Sequence, residues 1–143
     1  MSRALAGAEA LCARKGSRFT PLRRRVLEIL WRSHDPIGAY ELLDRLKGEG
    51  RRAAPPTVYR ALQFLSDAGL IHRIESLNAY VGCPNPETRH DAQHLICGTC
   101  GGVAEIEVAG ITAAITAEAG VLDFTVSRQT VEIIGFCARC RGP

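Results

Sequence analysis

Cys97-Gly98-Thr99-Cys100 and Cys137-Ala138-Arg139-Cys140 are two Cys-x-x-Cys knuckles separated by 36 residues. A tetrahedral zinc site takes four thiolate or imidazole ligands, and a two-residue spacer lets one tight turn aim two sulfurs at the same ion. Gly98, Gly101 and Gly102 suit such a turn, because the backbone folds back there at little steric cost. Cys97, Cys100, Cys137 and Cys140 together make a closed site with no position left for a substrate, so the expected role is structural. Two disulfides would need an oxidising compartment, to which nothing in the sequence points. A thioredoxin-like pair would account for one knuckle and not for two, and four unrelated thiols would leave the spacing without a reason. The long spacer predicts a metal that clips the end of the chain onto a strand opening a small domain, residues 90–143. Such a clip contributes folding free energy directly.

A second group of potential ligands surrounds the Pro-bounded stretch Cys83-Pro84-Asn85-Pro86-Glu87-Thr88. His72 and Cys83 precede or open it, and His90, Asp91 and His94 follow; Glu105 lies five residues beyond Cys100. Three of the four histidines fall within 23 residues. No regular local motif specifies a site here. His72 as a half-buried strand histidine, Glu105 as a solvated carboxylate and Cys83 as a small apolar filler remain open readings.

These residues need elements to hold them. At 143 residues, with 46% hydrophobic content, the chain is long enough for one or two small domains. It has no apolar run long enough to span a bilayer. The first twelve residues are interrupted by Glu9 and read as a helix rather than a signal peptide. A cytoplasmic protein with reduced thiols is expected. The net charge is +3 but unevenly placed: residues 1–82 hold 14 Lys/Arg against 8 Asp/Glu, whereas residues 83–143 hold 4 against 7. A basic front and an acidic back suggest a polyanion-binding domain joined to a different module. Residues 14–25 carry Arg14, Lys15, Arg18, Arg23, Arg24 and Arg25 with no acid. A solvated face would explain that run as well as nucleic acid would.

Residues 3–15 have helical spacing and end at Gly16. Thr20 as N-cap and Pro21 at the first helical position open a second helix with an apolar stripe of Val26, Leu27, Leu30 and Trp31. A third helix is predicted from Ala39 to about Lys47. A fourth opens at Pro55-Pro56 and is capped by Gly69. On a wheel of about 100° per residue, its Val58, Ala61, Leu62, Leu65 and Ala68 share one face, with Tyr59, Arg60 and Gln63 opposite. A recognition helix needs that arrangement: Arg bonds guanine, Gln bonds adenine, and an aromatic edge meets a thymine methyl. Leu70 to Glu75 and Ala79 to Val81, around Ser76-Leu77-Asn78, predict a hairpin, and helices followed by a hairpin make a winged helix. The back half reads as strands at 93–97 and 102–108, a helix at 111–119, and a strand or pair of strands over 124–137. An exposed sheet edge suited to a second copy is expected. The fold class is therefore α+β: a winged helix-turn-helix domain over residues 1–82, a hinge at 83–89 and a small α/β dimerisation domain over 90–143, stapled by zinc.

Several motifs in order carry a family likeness. Thr20-Pro21-x-Arg23-x-x-Val26-Leu27, Ala39-Tyr40-x-Leu42-Leu43, Thr57-Val58-Tyr59-Arg60-Ala61-Leu62, His94-Leu95-Ile96-Cys97-x-x-Cys100-Gly101 and Cys137-x-x-Cys140 resemble the ferric uptake regulator family across nearly the whole chain. Within it the chain is most similar to the zinc uptake regulator branch, through Pro55-Pro56-Thr57-Val58-Tyr59-Arg60-Ala61-Leu62. The resemblance implies a homodimeric, zinc-responsive repressor of zinc-uptake genes that binds an inverted-repeat operator in double-stranded DNA. It implies one structural and one regulatory Zn2+ per protomer, with no membrane and no small-molecule substrate beyond metal. It maps the regulatory ligands onto His72, Cys83, His90 and Glu105, with His94 as the rival of His90 and Asp91 as a ligand of an additional peripheral site. Tyr40, Tyr59, Arg60 and Gln63, with Arg23 and Arg24 on phosphate, are the expected DNA contacts. An iron or manganese sensor of the same family is the alternative, although a thiolate at Cys83 is soft and favours zinc. An enzyme is not expected. A zinc nucleobase deaminase would need His-x-Glu near Pro-Cys-x-x-Cys, and neither is present. A zinc-ribbon adaptor that binds only protein would leave Tyr59, Arg60 and the basic front without a role.

Overall fold

The computed structural model describes residues 2–33, 35–84 and 92–142, with the side chains of residues 2–4 left aside. Contacts divide the chain into two units, residues 1–89 and 90–143, each with its own secondary structure. The fold class is α+β.

In the front unit, α1 (Ser2–Arg14), α2 (Pro21–Arg32), α3 (Ala39–Gly48) and α4 (Pro55–Asp67) precede a hairpin of β1 (Ile71–Ile74) and β2 (Ala79–Gly82). Helix α2 starts where the sequence signals it. The Thr20 side chain accepts from the Arg23 backbone N–H at 3.2 Å, and Pro21 takes a position whose N–H would have no intrahelical partner. Helices α2, α3 and α4 pack on one another through Val26, Leu27, Leu30, Leu42, Leu46, Val58, Leu62 and Leu65, all 2% exposed or less. The hairpin register pairs Ile71 with Gly82 and Ile74 with Ala79. Its turn is a short 3-10 segment closed by Asn78 in the left-handed region, at φ 47°. Ile37 and Tyr80 exchange backbone hydrogen bonds at 3.0 and 2.9 Å, which fastens the segment before α3 to the wing. Gly82 is where the wing meets α2: a Cβ there would stand 3.2–3.3 Å from three atoms of the Trp31 indole, so a side chain would make the ring give by a few tenths of an ångström.

The back unit is a three-stranded sheet and one helix: β3 (Ala92–Cys97), β4 (Val103–Glu107), α5 (Ala109–Val121) and β5 (Val131–Gly135). Strand β3 lies in the middle, antiparallel to β4 and parallel to β5. Residues 124–130 do not form the further strand that their composition allowed. The Gln129 amide there donates to the Thr112 carbonyl and to Thr116 Oγ1, so this stretch is tied to α5 and joins no ladder. Helix α5 is rich in Ala with Ile at 111 and 115 and has no buried residue. Ile115, Val121, Leu122, Phe124, Ile134 and Phe136 all stand exposed. No helix among the described residues is long and apolar enough to cross a membrane.

Thr20→Ala should destabilise the front unit by about 1 kcal/mol, and Thr20→Ser should restore most of it, because only the capping oxygen is at stake. Trp31, the single tryptophan and a residue of α2, reports that unit by fluorescence during urea unfolding. An unchanged midpoint for Thr20→Ala would remove the cap from the account.

Candidate metal centre and nucleic-acid interface

The four-cysteine cluster is assembled by sheet pairing. In the β3–β5 register Cys97 faces Gly135, so Cys137, two residues beyond the end of β5, follows alongside the end of β3 that carries the first knuckle. The Gly98 N–H donates to the Gly135 carbonyl at 2.8 Å and extends that pairing into the turn. Each knuckle then closes on its own first cysteine: the Gly101 N–H donates to the Cys97 carbonyl, and the Cys140 and Arg141 N–H groups to the Cys137 carbonyl, each at 2.9 Å. Gly101 has φ +74°, which a side-chain-bearing residue rarely adopts.

Cys97, Cys100, Cys137 and Cys140 place their sulfurs within 4.8 Å of one another, and Cys100 Sγ lies 3.9 Å from Cys137 Sγ. A tetrahedron with Zn–S bonds of about 2.3 Å has edges of about 3.8 Å, so the arrangement has the size of a zinc tetrathiolate. The electrostatics agree. Backbone N–H donors, Cys100 first and then Cys137 and Thr99, pull the Cys97 thiol down to about 6. The neighbouring Cys137 and Cys97 sulfurs push Cys140 up to about 12. Four thiols gathered this closely do not all ionise by themselves, and a divalent cation is the natural compensation.

The second group of potential ligands is divided between the two units. In the front unit, His72 lies on β1 opposite Val81, and the Cys83 N–H extends the ladder by donating to the Leu70 carbonyl at 2.9 Å. Alternation along the strands therefore puts His72 and Cys83 on one face of the wing as diagonal neighbours. Cys83 is buried and His72 half-buried. In the back unit, His94 on β3 is paired directly with Glu105 on β4, with Nε2 3.8 Å from Oε1 and both side chains nearly buried. His90 and Asp91 lie outside the described residues.

On α4 the buried stripe is Val58, Ala61, Leu62 and Leu65, while Tyr59, Arg60 and Gln63 are exposed. Tyr40, the second residue of α3, is 68% exposed. The cations of α2 are more engaged than the basic run suggests. Arg23 lies over the Phe64 ring at 3.8 Å from its centroid and donates to the Arg18 carbonyl at 2.6 Å. Arg24 pairs with Glu9 and with Glu28, and Arg25 with Glu28 and Glu49. The Arg25 guanidinium holds the Glu49 carboxyl below its ordinary range. Sequence reasoning had no signal for the Arg23–Phe64 contact, which joins residues 41 positions apart. It also passed over Asp67, whose Oδ1 accepts from Gln63 Nε2 at 2.8 Å; the i,i+4 spacing was the available signal.

Comparison with known proteins agrees with this geometry. The model of the ferric uptake regulator family matches residues 14–134. The zinc uptake regulation protein of Escherichia coli (strain K12) is 39% identical over 137 residues, which cover 95% of this chain and 80% of that protein. Among solved structures, holo XcZur is similar at a TM-score of 0.89 and 38% identity, covering 97% of each chain. A zinc uptake regulator complexed with zinc and DNA is similar at 0.92 and 37%, covering 96% of this chain and 93% of that one.

Cys137→Ser should release the metal of the four-cysteine centre and unfold the back unit, since a sheet of three short strands leans on such a clip for its stability. Zinc per protomer by elemental analysis, together with the melting curve, checks this. Full zinc content with unchanged melting would exclude Cys137 as a ligand.

Proposed function

The chain belongs to the ferric uptake regulator family, and we propose that it is a zinc-responsive, DNA-binding transcriptional repressor of zinc-uptake genes. The observation that carries this reading is the position of His72 and Cys83 on one face of the wing, inside the unit that also holds the outward row Tyr59, Arg60 and Gln63. A purely structural metal is already provided for by the four cysteines. Metal donors on the wing make sense if occupancy is to influence DNA binding.

The regulatory zinc takes His72, Cys83, His90 and Glu105, with His94, opposite Glu105, as the competitor of His90 for the histidine position. Asp91 contributes to a peripheral site. The Cys83 thiolate is soft and selects zinc over iron or manganese. Stoichiometry is one structural and one regulatory ion per protomer. Zinc acts through the difference in its affinity for the DNA-competent and incompetent arrangements, and a tenfold gain in DNA affinity requires only about 1.4 kcal/mol of such coupling.

The partner copy is supported by the exposed apolar residues of the back unit. A mostly apolar helix with no fully buried residue, beside exposed Ile134 and Phe136, fits such an interface. A two-fold dimer presents two recognition helices, which suits an inverted repeat. Repressors of this kind act in the cytoplasm, and no enzymatic step is assigned.

Cys83→Ser should keep the structural zinc and the dimer yet lose zinc-dependent DNA binding, because a serine hydroxyl stays protonated at neutral pH and donates poorly to zinc. A mobility-shift titration with zinc, iron and manganese, run beside zinc counts, tests it. Operator binding by Cys83→Ser at wild-type zinc levels would sink the sensor assignment. In the same assay, His90→Ala and His94→Ala identify the histidine ligand by which of them raises the zinc requirement.

Arg60→Ala should relax base preference at one position per half-site, at a cost of about 1–3 kcal/mol. Arg24→Ala should instead weaken binding to all sequences alike and flatten its salt dependence. An unchanged selected-site profile for Arg60→Ala would reject α4 as the recognition helix.

A further inference from the structure

The outward row of α4 includes one side chain whose orientation is fixed by a neighbour that the DNA-binding reading does not use. Gln63 is exposed one turn beyond Tyr59 and three residues beyond Arg60, and its Nε2 donates to Asp67 Oδ1 at 2.8 Å. We propose that Asp67 is a positioning residue that sets which base Gln63 reads, and that this base is adenine. The proposal rests on the DNA-binding reading above.

The argument concerns donors and acceptors. The two ends of a glutamine amide look alike in shape, so only their partners decide which way round it stands. An ionised carboxylate accepts and never donates, so the nitrogen end of Gln63 must face Asp67. One N–H is thereby consumed. The outward edge retains Oε1 and the second N–H side by side. That acceptor–donor pair complements the N6–H donor and N7 acceptor that adenine shows in the major groove. The reversed amide would turn its two N–H groups outward and suit the O6 and N7 acceptors of guanine. Asp67 opposes that reversal.

The location of Asp67 points the same way. It is the last residue of α4, where the helix already concentrates negative charge, and no basic residue lies in that turn. On the DNA-binding reading, an acid on that helix adds negative charge near a polyanion, which does not favour general affinity. Its contribution is selectivity. The rival role for the pair is a plain i,i+4 contact that steadies the helix.

The test uses the full-length, zinc-loaded protein and a randomised-site selection, followed by competition shifts at the position that Gln63 reads. Wild type should prefer adenine to guanine there by roughly five- to hundredfold. Gln63→Ala should erase that preference. Asp67→Ala should cut it at least about threefold, with the position read by Arg60 and the melting temperature unchanged. Asp67→Lys, whose ammonium donates to Oε1, should turn the amide and move the preference toward guanine. An adenine preference that survives Asp67→Ala overturns the proposal. So does a loss spread evenly over all bases with a lower melting temperature, since that is the signature of helix support. If zinc-loaded wild type shows no base preference anywhere, the DNA-binding reading fails and this inference with it. If wild type is selective and Gln63→Ala leaves the profile unchanged, this inference alone fails.

Discussion

Sulfurs brought to within 4.8 Å of one another repel as thiolates, and a bound cation would relieve that repulsion at the end of the back unit. The sheet is arranged to bring them together. Strand β5 runs parallel to β3, which requires the chain to pass through β4 and α5 before it returns. The return delivers Cys137 beside Cys97, and the Gly98–Gly135 hydrogen bond holds the two turns in register. The parallel pairing therefore builds the four-sulfur cluster that a metal would hold. A sheet of three strands of five or six residues would gain much of its closure from such an ion.

The front unit solves a different problem. A helix that reads DNA must be rigid on one side and chemically available on the other. Burial of Val58, Ala61, Leu62 and Leu65 supplies the rigidity. Around it, arginines that a sequence would assign to phosphate serve partly as internal ties. Arg23 stacks on Phe64 of α4, and Arg25 bridges Glu28 and Glu49 next to the loop that enters α4. Each tie is worth little where water screens it. Together they link α2 to α4 and to the loop that precedes it. Arg60 forms no ion pair with a described residue, which leaves its guanidinium available to a base edge.

The proposed regulatory ligands His72 and Cys83, both on the wing, connect the two problems. The ladder that continues from β2 through Cys83 to Leu70 makes the Cys83 backbone part of the DNA-binding unit. Its neighbour Gly82 lies against Trp31 of α2 with no room for a side chain to intervene without displacement. A change at Cys83 is therefore felt by the hairpin and by the helix it packs on, which is the mechanical condition for a metal to influence DNA binding.

Much of this was legible from local chemistry alone. The knuckles, the Thr20-Pro21 start of α2, the stripe of α4 and the turn at Asn78 are short-range signals, because caps, turns and periodicity act over a few residues. The likeness in motif order extended that reading to the family. Other features belonged to pairing across long separations. The sequence did not reveal that residues 124–130 stay out of the sheet, since Gln129 finds its partners on α5. Nor did it reveal that His94 is opposite Glu105, which depends on strand register. Arg23, expected on phosphate, also lies over an aromatic ring 41 residues away. Residue types and spacing determined which chemistry was available. Tertiary structure decided which of those groups meet, because register and helix packing are set by the burial of a whole face and not by any one residue on it.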